Sequence, residues 1–255
     1  VQSENDLCIV AVVGDGMKHS PGTSGRMFSA LGKNGVNVMA IAQGSSERNI
    51  SAVIPQVDAA KALNALHEAF FLSDRRVLNV FLVGTGLIGK ALLSMIQDQF
   101  NKLAKDSLLE VNVVAIANSR KMLFKDDGLT LSTCIKELNS NGAKMNMQEF
   151  YEKMHALNLS NSVFVDCTSS SEVTSFYESI LSTNISIVTP NKKANSASME
   201  AYDLLKSTAF KRGAKFLYET NVGAGLPVIN TMNDLLVSGD SVIRIEAVLS
   251  GTLNF

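Results

Sequence analysis

Three glycines form the first pattern in the sequence that could do chemistry. Gly84, Gly86 and Gly89 have the spacing Gly-x-Gly-x-x-Gly within VFLVGTGLIGKALL, after an apolar run and before an amphipathic one. In such a turn the first glycine allows a tight bend, the second lets the backbone approach a pyrophosphate, and the third lets the helix pack on the strand. The free N–H groups at the helix N-terminus favour an anion. The pattern predicts a dinucleotide site, and a glycine-rich turn in an unrelated α/β fold is the alternative.

A basic stretch, AIANSRK, ends the next predicted strand. An NAD enzyme usually carries an acidic residue here, because a carboxylate binds the ribose 2′-hydroxyl. This chain has Asn118 and Ser119 followed by Arg120 and Lys121, and both cations could pair with a 2′-phosphate. The stretch therefore favours NADP(H), and a solvated basic loop is the alternative.

Two further strand ends carry polar residues, in DCTSS and TPNKKANS. Ligands of open α/β sheets bind at the carboxyl ends of the strands. Thr168 and Ser169 could donate hydroxyls to a cofactor, although capping of the next helix is the safer interpretation. Lys192 could reach both a nicotinamide and a carbonyl substrate, and an ordinary surface lysine is the alternative.

A loop rich in glycine and alanine follows Glu219 in YETNVGAGLP. One carboxylate together with exposed carbonyl oxygens suits a hard cation. A glycine hinge between two domains is the alternative, and both interpretations can hold.

The hydrophobic pattern predicts the elements that must position these residues. From Leu78 onward, strands alternate with helices, which indicates a parallel sheet covered on both faces. The preceding residues give the pattern β-α-β-β-α instead. A helix and the strand SVIRIEAVL begin a third part after Leu226. We therefore expect domains at residues 1–75, 76–220 and 221–255.

The composition limits the classes of function. Of the 255 residues, 46% are hydrophobic and 18% are charged, which is enough apolar material to form hydrophobic cores. The net charge of −1 gives no indication of a positively charged surface for nucleic acid or an anionic membrane. Three scattered cysteines argue against a disulfide framework and favour a reducing compartment, which we take to be the cytoplasm. No apolar run is long enough for a bilayer. The chain starts without Met and stops within a predicted strand, so we expect both ends to continue in a longer protein.

Taken in order, the motifs resemble homoserine dehydrogenase: GTGLIG, ANSR, VDCTSS, TPNKKAN, YETNVGAGLPVI and LSGTLNF. The first 75 residues, with CIVAVVGDGM and PGTSGRMFSALGKNGVNVMAIAQGSSERNIS, are similar to the last ACT regulatory module of bifunctional aspartokinase–homoserine dehydrogenases. The resemblance implies a ferredoxin-like α+β ACT module, a Rossmann-type doubly wound parallel sheet, and the start of an α+β substrate domain. It implies an aspartokinase domain before Val1 and most of the substrate domain after Phe255.

The resemblance also implies a reaction, the reduction of L-aspartate 4-semialdehyde to L-homoserine with NADPH in threonine, methionine and isoleucine biosynthesis. It sets Lys192 between cofactor and substrate, where a cation would stabilise the developing alkoxide. The residues that it assigns to the cofactor are Gly84, Gly86, Leu87, Ile88, Gly89, Ala117, Arg120, Lys121, Thr168, Ser169 and Lys192.

The same resemblance implies a sodium site, a substrate site and an effector site. Glu219 with the carbonyls of Val222, Ala224 and Leu226 resembles a structural sodium site. Substrate binding is assigned to Lys192, Gly251 and Thr252, with further acidic ligands and a second catalytic lysine expected beyond Phe255.

Gln43 in IAQGSSE matches an effector glutamine of plant relatives, whose effector is threonine. A primary amide can both donate to and accept from an amino acid. The helix start at Pro21-Gly22-Thr23 could receive the effector carboxylate. An ACT unit that packs against others and binds nothing is the alternative. We also expect a homo-oligomer, because the three strands before Leu78 leave a sheet edge unpaired.

Two other functions remain open from the sequence. A non-catalytic module that senses amino acids or nucleotides would need neither Lys192 nor the Glu219 loop. Another reductase of amino-acid metabolism would not be expected to share NVGAGLP followed by SGTLNF.

Overall fold

The structure is a computed structural model that describes residues 5–71 and 76–248. The chain divides into two compact units, Val1–Leu217 and Tyr218–Phe255. This grouping does not decide the predicted domain bounds at residues 75 and 220, which stay predictions. Within the described ranges, no helix has the length and apolar character needed to cross a membrane.

The first part of the larger unit is a small antiparallel sheet with two helices on one face. Its elements follow the predicted order β-α-β-β-α: β1 Leu7–Val13, α1 Thr23–Lys33, β2 Ala40–Gln43, β3 Asn49–Pro55 and α2 Ala59–Phe71. The described strands lie in the order β1-β3-β2, and both pairings are antiparallel. Alternate residues of β3 are buried because strand side chains point to opposite faces, and they pack against Met27 and Leu31 of α1.

The second part is a seven-stranded sheet in the order β10-β9-β8-β4-β5-β6-β7. Its strands are β4 Arg76–Val83, β5 Leu109–Ala117, β6 Lys121–Phe124, β7 Ala143–Lys144, β8 Ser162–Asp166, β9 Ser186–Val188 and β10 Phe216–Leu217. Its helices are α3 Leu87–Asp106, α4 Cys134–Asn141, α5 Met147–Leu157, α6 Ser171–Thr174, α7 Tyr177–Ser182 and α8 Met199–Arg212.

Five neighbouring strands of this sheet are parallel, as the alternating pattern predicts, whereas β6 and β7 are antiparallel at one edge. These two strands are not predicted by the sequence pattern, because four and two residues are too few to show an alternation. After β8 the chain forms two short helices, α6 and α7.

The smaller unit contains α9, Val228–Val237, as the pattern after Leu226 predicts. The strand predicted from SVIRIEAVL is wrong for residues 241–248, which are not in any strand of the described structure. A strand is held by hydrogen bonds to a neighbour, and within the described ranges these residues have no neighbouring strand to supply them.

The small sheet and the large sheet of the first unit are joined by asparagine side chains. Asn158, just after α5, accepts a hydrogen bond from Lys61 Nζ at 2.8 Å and donates to Asp58 Oδ1 at 3.0 Å. Asn161 donates from its backbone N–H to Asn34 Oδ1 at 3.2 Å. Both Asn158 and Asn161 have left-handed backbone conformations, which asparagine tolerates better than most residues.

These contacts fix which end of the large sheet the small domain touches. Asn161 immediately precedes β8, so the contacts lie at the amino ends of the parallel strands. Lys61 is partly buried there, and desolvation lowers its pKa although Asp58 opposes the shift. The candidate ligand residues lie at the carboxyl ends of the same strands, which is the opposite edge of the sheet.

Candidate functional site

The glycine turn after β4 is shaped by two close approaches and one open position. Gly84 has φ +102°, and a Cβ on it would lie 2.6 Å from the carbonyl carbon of Cys167. A Cβ on Gly89 would overlap the carbonyl oxygen of Gly84. A Cβ on Gly86 would meet nothing within 4 Å. Gly84 and Gly89 are therefore required by packing, while Gly86 keeps a space clear in front of the helix.

The N-terminus of α3 opens onto this space. Gly86 is the residue before the helix, and its carbonyl accepts the first helical hydrogen bond from Lys90 N–H at 3.0 Å. The side chains of Leu87 and Ile88 are 88% and 54% exposed, which is unusual for large apolar residues of a first turn and leaves surface for a ligand to cover. The N–H groups of Leu87, Ile88 and Gly89 precede this first bond, so they lie where helix geometry supplies no carbonyl and an anion can bind.

The second strand end is tied to the glycine turn through Ala117. Its carbonyl accepts hydrogen bonds from Gly84 N–H at 2.8 Å and Thr85 N–H at 3.2 Å. Asn118 Oδ1 then accepts from the N–H groups of Arg120 and Lys121, both at 2.8 Å. This side chain shapes the turn that presents the two predicted phosphate ligands.

The structure separates the two cations of this turn. Lys121 Nζ donates to the carbonyls of Asn139 and Ser140 in the last turn of α4, at 2.5 and 3.5 Å. A lysine there stabilises a helix C-terminus, so this ammonium has a structural partner. Arg120 is exposed.

Thr168 and Ser169 follow β8 as predicted. Thr168 Oγ1 accepts from Ser170 N–H at 3.1 Å, which closes a local turn just before α6. The N-cap residue of α6, Ser170, makes no side-chain capping hydrogen bond, so the capping that the sequence favoured is not observed there. Ser169 is exposed. Burial, and then the neighbouring Asp166, raise the pKa of the Cys167 thiol to about 11, so this cysteine is protonated at neutral pH and is no nucleophile.

A buried carboxylate, which the sequence analysis did not single out, lies behind these residues. Asp166 is 0% exposed, and its oxygens accept from Thr168 N–H at 2.7 Å, the Tyr177 hydroxyl at 2.7 Å and Asn191 Nδ2 at 2.9 Å. Desolvation, and then the charge of Asp166, raise the pKa of Tyr177, so the phenol stays a donor. The available signal was an acidic residue at the end of the apolar strand SVFVD.

Lys192 lies on a loop that this network holds. Asn191 is 2% exposed, and its backbone N–H donates to Thr189 Oγ1 at 2.8 Å. The next residue, Lys192, is exposed, and Lys193 N–H donates back to Asn191 Oδ1 at 3.1 Å. Since β4, β8 and β9 are neighbours in the sheet, the glycine turn, Thr168 and this loop lie at three adjacent strand ends.

The Glu219 carboxylate in the smaller unit caps α9. Its two oxygens accept from the N–H groups of Ile229 and Asn230, at 2.8 and 2.9 Å. Ala224 has a left-handed conformation, and the Leu226 carbonyl accepts from Val228 N–H at 2.9 Å. Residues 5–71 and 76–248 contain no group of three or more His, Cys, Asp or Glu side chains that could hold a metal ion. Carboxylate and backbone carbonyl oxygens are the types of ligand that a hard cation prefers.

Gln43 lies at the exposed end of β2, and its Oε1 accepts from the Ser24 hydroxyl at 3.4 Å. This long contact brings the predicted effector glutamine to the first turn of α1, next to the predicted carboxylate site. The predicted substrate residues Gly251 and Thr252 lie outside the described residues.

Comparison with known proteins identifies both parts of the larger unit. A family model described as an ACT domain matches residues 10–70. A second model, described as the homoserine dehydrogenase NAD-binding domain, matches residues 84–219. The chain belongs to the homoserine dehydrogenase family. The predicted resemblance and fold class are confirmed, and residues 84–219 form an NAD(P)-binding domain.

Similar sequences carry both parts in the same order. The bifunctional aspartokinase/homoserine dehydrogenase of Haemophilus influenzae is 44% identical over 98% of this chain and 30% of its own length. A chloroplastic bifunctional aspartokinase/homoserine dehydrogenase 2 of Arabidopsis thaliana is 43% identical over 97% of this chain and 27% of its length. The chain thus spans less than a third of the length of these curated relatives.

Solved structures agree with this fold. A protein of unknown function from Candida auris matches with a TM-score of 0.59 and 30% identity, over 69% of this chain and 48% of that one. A hyperthermophilic archaeal homoserine dehydrogenase mutant in complex with NADPH matches with a TM-score of 0.52 and 25% identity, over 64% of this chain and 50% of that one.

The glycine turn gives a first prediction. Gly86→Ala is expected to keep the melting temperature of the chain, because its Cβ meets nothing within 4 Å, and to weaken NADPH binding about tenfold or more by filling the space kept for the pyrophosphate. NADPH fluorescence titration and thermal melting measure the two effects. Gly25→Ala, in α1, also adds a Cβ to open space and should leave NADPH affinity unchanged, while the melting temperature should stay the same or rise because alanine favours a helix. Wild-type affinity in Gly86→Ala would show that the cofactor does not approach this residue.

Proposed function

We propose that this chain is the regulatory and cofactor-binding part of an enzyme that reduces L-aspartate 4-semialdehyde to L-homoserine with NADPH. One observation supports the proposal: the glycine turn, Thr168 and the Lys192 loop lie at the same edge of the large sheet. An amino-acid sensor without catalysis has no need for an exposed lysine anchored beside a dinucleotide turn.

The roles of the residues follow from their chemistry. The first turn of α3 and the glycines bind the pyrophosphate, Arg120 pairs with the 2′-phosphate, and Thr168 lies beside the cofactor. NADPH, when bound, supplies the hydride. The ammonium of Lys192 stabilises the negative charge that develops on the aldehyde oxygen as the carbonyl carbon accepts this hydride.

The proposal extends to the intact protein that contains this chain. By analogy with its bifunctional relatives, that protein also has an aspartate kinase activity, and Gln43 with the first turn of α1 binds an amino-acid effector such as threonine. Glu219 with the carbonyls of Val222, Ala224 and Leu226 holds a structural sodium ion. Location in the cytoplasm stays a prediction from cysteine usage.

Arg120→Ala is expected to weaken NADPH binding about tenfold or more and to leave NADH binding unchanged, because a hydrogen-bonded charge pair is lost only with the 2′-phosphate. Isothermal titration with each cofactor measures the effect. Lys121→Ala is the matched control. The Lys121 ammonium bonds to the end of α4, so its removal should lower the melting temperature and leave the Kd for NADPH nearly unchanged. Tight NADH binding in the wild type, with no effect of Arg120→Ala, would contradict the NADP preference.

Lys192→Ala in the intact enzyme is expected to lower kcat about 100-fold, from a loss of about 3 kcal/mol of transition-state stabilisation, with little change in the Kd for NADPH. Steady-state kinetics and cofactor titration separate the two quantities. Lys193→Ala, one residue on and also exposed, should retain near-normal turnover. A Lys192→Ala enzyme with normal kcat and only a raised KM would limit the lysine to binding.

We also propose that the ACT sheet mediates a homodimer, because β1 is an edge strand of the described sheet and exposes Ile9 and Val13, at 71% and 70%. Ile9→Lys together with Val13→Lys is expected to convert the dimer into monomers in light scattering after size exclusion. Leu63→Lys on α2 is the control for added charge. If the wild type is a monomer, the proposal is wrong. If the variant with both substitutions remains a dimer, the interface lies elsewhere on the chain.

A further inference from the structure

The buried carboxylate of Asp166 has no part in the proposed chemistry, yet three separate elements supply its donors. Thr168 N–H comes from the turn after β8, the Tyr177 hydroxyl from the start of α7, and Asn191 Nδ2 from the loop after β9. All three donors are neutral. A carboxylate without exposure to water is costly unless such donors satisfy it, so the three elements must keep one arrangement.

Asn191 connects the buried Asp166 carboxylate to the loop that contains Lys192. Its side chain donates to Asp166 Oδ2 and, at 3.0 Å, to the carbonyl of Ser170. Its backbone N–H is bound by Thr189, and its Oδ1 accepts from Lys193 N–H. The backbone is thus held on both sides of Lys192, which leaves the lysine side chain as the part that can move.

The other end of the network reaches the glycine turn. Cys167 N–H donates to the carbonyl of Val83 at 2.8 Å, one residue before Gly84. The close approach of Gly84 to Cys167 leaves no room for the two strand ends to shift apart or together. Asp166, directly before Cys167, therefore joins the pyrophosphate turn to the lysine loop.

We infer that Asp166 and Tyr177 are positioning residues, which set the distance between bound cofactor and Lys192 for hydride transfer. The inference rests on the proposed function of Lys192. Tyr177 is suited to a separate test because its ring and its hydroxyl do different things. The ring is fully buried with edge contacts to Phe164 and Phe216, at centroid distances of 6.4 and 5.8 Å. The hydroxyl bonds to Asp166 and lies 2.9 Å from Thr189 Oγ1.

Tyr177→Phe keeps the ring and removes the hydroxyl. In the intact enzyme we expect kcat to fall about 10- to 100-fold, because small misplacements of a reacting group are costly, while the Kd for NADPH stays within about twofold. In a Lys192→Ala background the same substitution should have no further effect on kcat. Tyr151→Phe on α5 is the matched control and should behave as the wild type in both backgrounds.

A purely structural role predicts a different outcome. It would lower the melting temperature but leave kcat unchanged at temperatures where the variant is folded, or lower kcat equally with and without Lys192. Either result would overturn the inference. Should Tyr177→Phe not fold, Thr189→Val removes the neighbouring hydroxyl of the same network and is subject to the same expectations.

A measurement without turnover separates this inference from the proposed reaction. Hydrogen exchange of the chain should be faster at the N–H groups of Asn191 and Lys193 in Tyr177→Phe than in the wild type, with no change in β4 or α3. If the intact wild-type protein does not reduce aspartate semialdehyde, the proposed reaction fails and this measurement alone decides the positioning. Unchanged exchange in the loop would refute it.

Discussion

The constraint on which the site depends is a buried carboxylate that forms no ion pair with any residue in the described ranges. Asp166 ends β8 with no exposure to solvent, and neutral hydrogen-bond donors offset the cost of its burial. Those donors come from α7 and from the loops after β8 and β9, so the carboxylate connects three separate elements at this edge. An apolar residue in its place would pack, but it would not specify where Asn191 lies.

The same strand connects the two ends of the larger unit. Its amino end follows Asn161, which bonds to Asn34 of the ACT domain, and its carboxyl end is Asp166. Only four residues of β8, Ser162–Val165, lie between them, and β8 pairs with β4 and β9 on either side. A movement of the ACT domain that shifted Asn161 would therefore act directly on the strand that carries the buried network.

The sequence predicted what depends on local pattern. The glycine spacing predicted a bend at Gly84 and a close helix contact at Gly89, and both are present because each follows from neighbouring residues. The alternation of strands and helices predicted the parallel part of the sheet, and the order β-α-β-β-α of the ACT domain. The strand predicted over residues 241–248 failed, since its pattern carries no information on whether a neighbour is available to pair with it.

Contacts between distant residues could not be predicted in this way. Nothing near Lys121 indicates that its ammonium bonds to the end of α4, 18 residues on, instead of turning outward as Arg120 does. Likewise, Asp166 and Asn191 are 25 residues apart and meet only because β8 and β9 are neighbours. Lys192 could be predicted as a candidate catalytic residue because it follows the end of a strand. The buried groups that determine its position became visible only once the fold had brought three strand ends together.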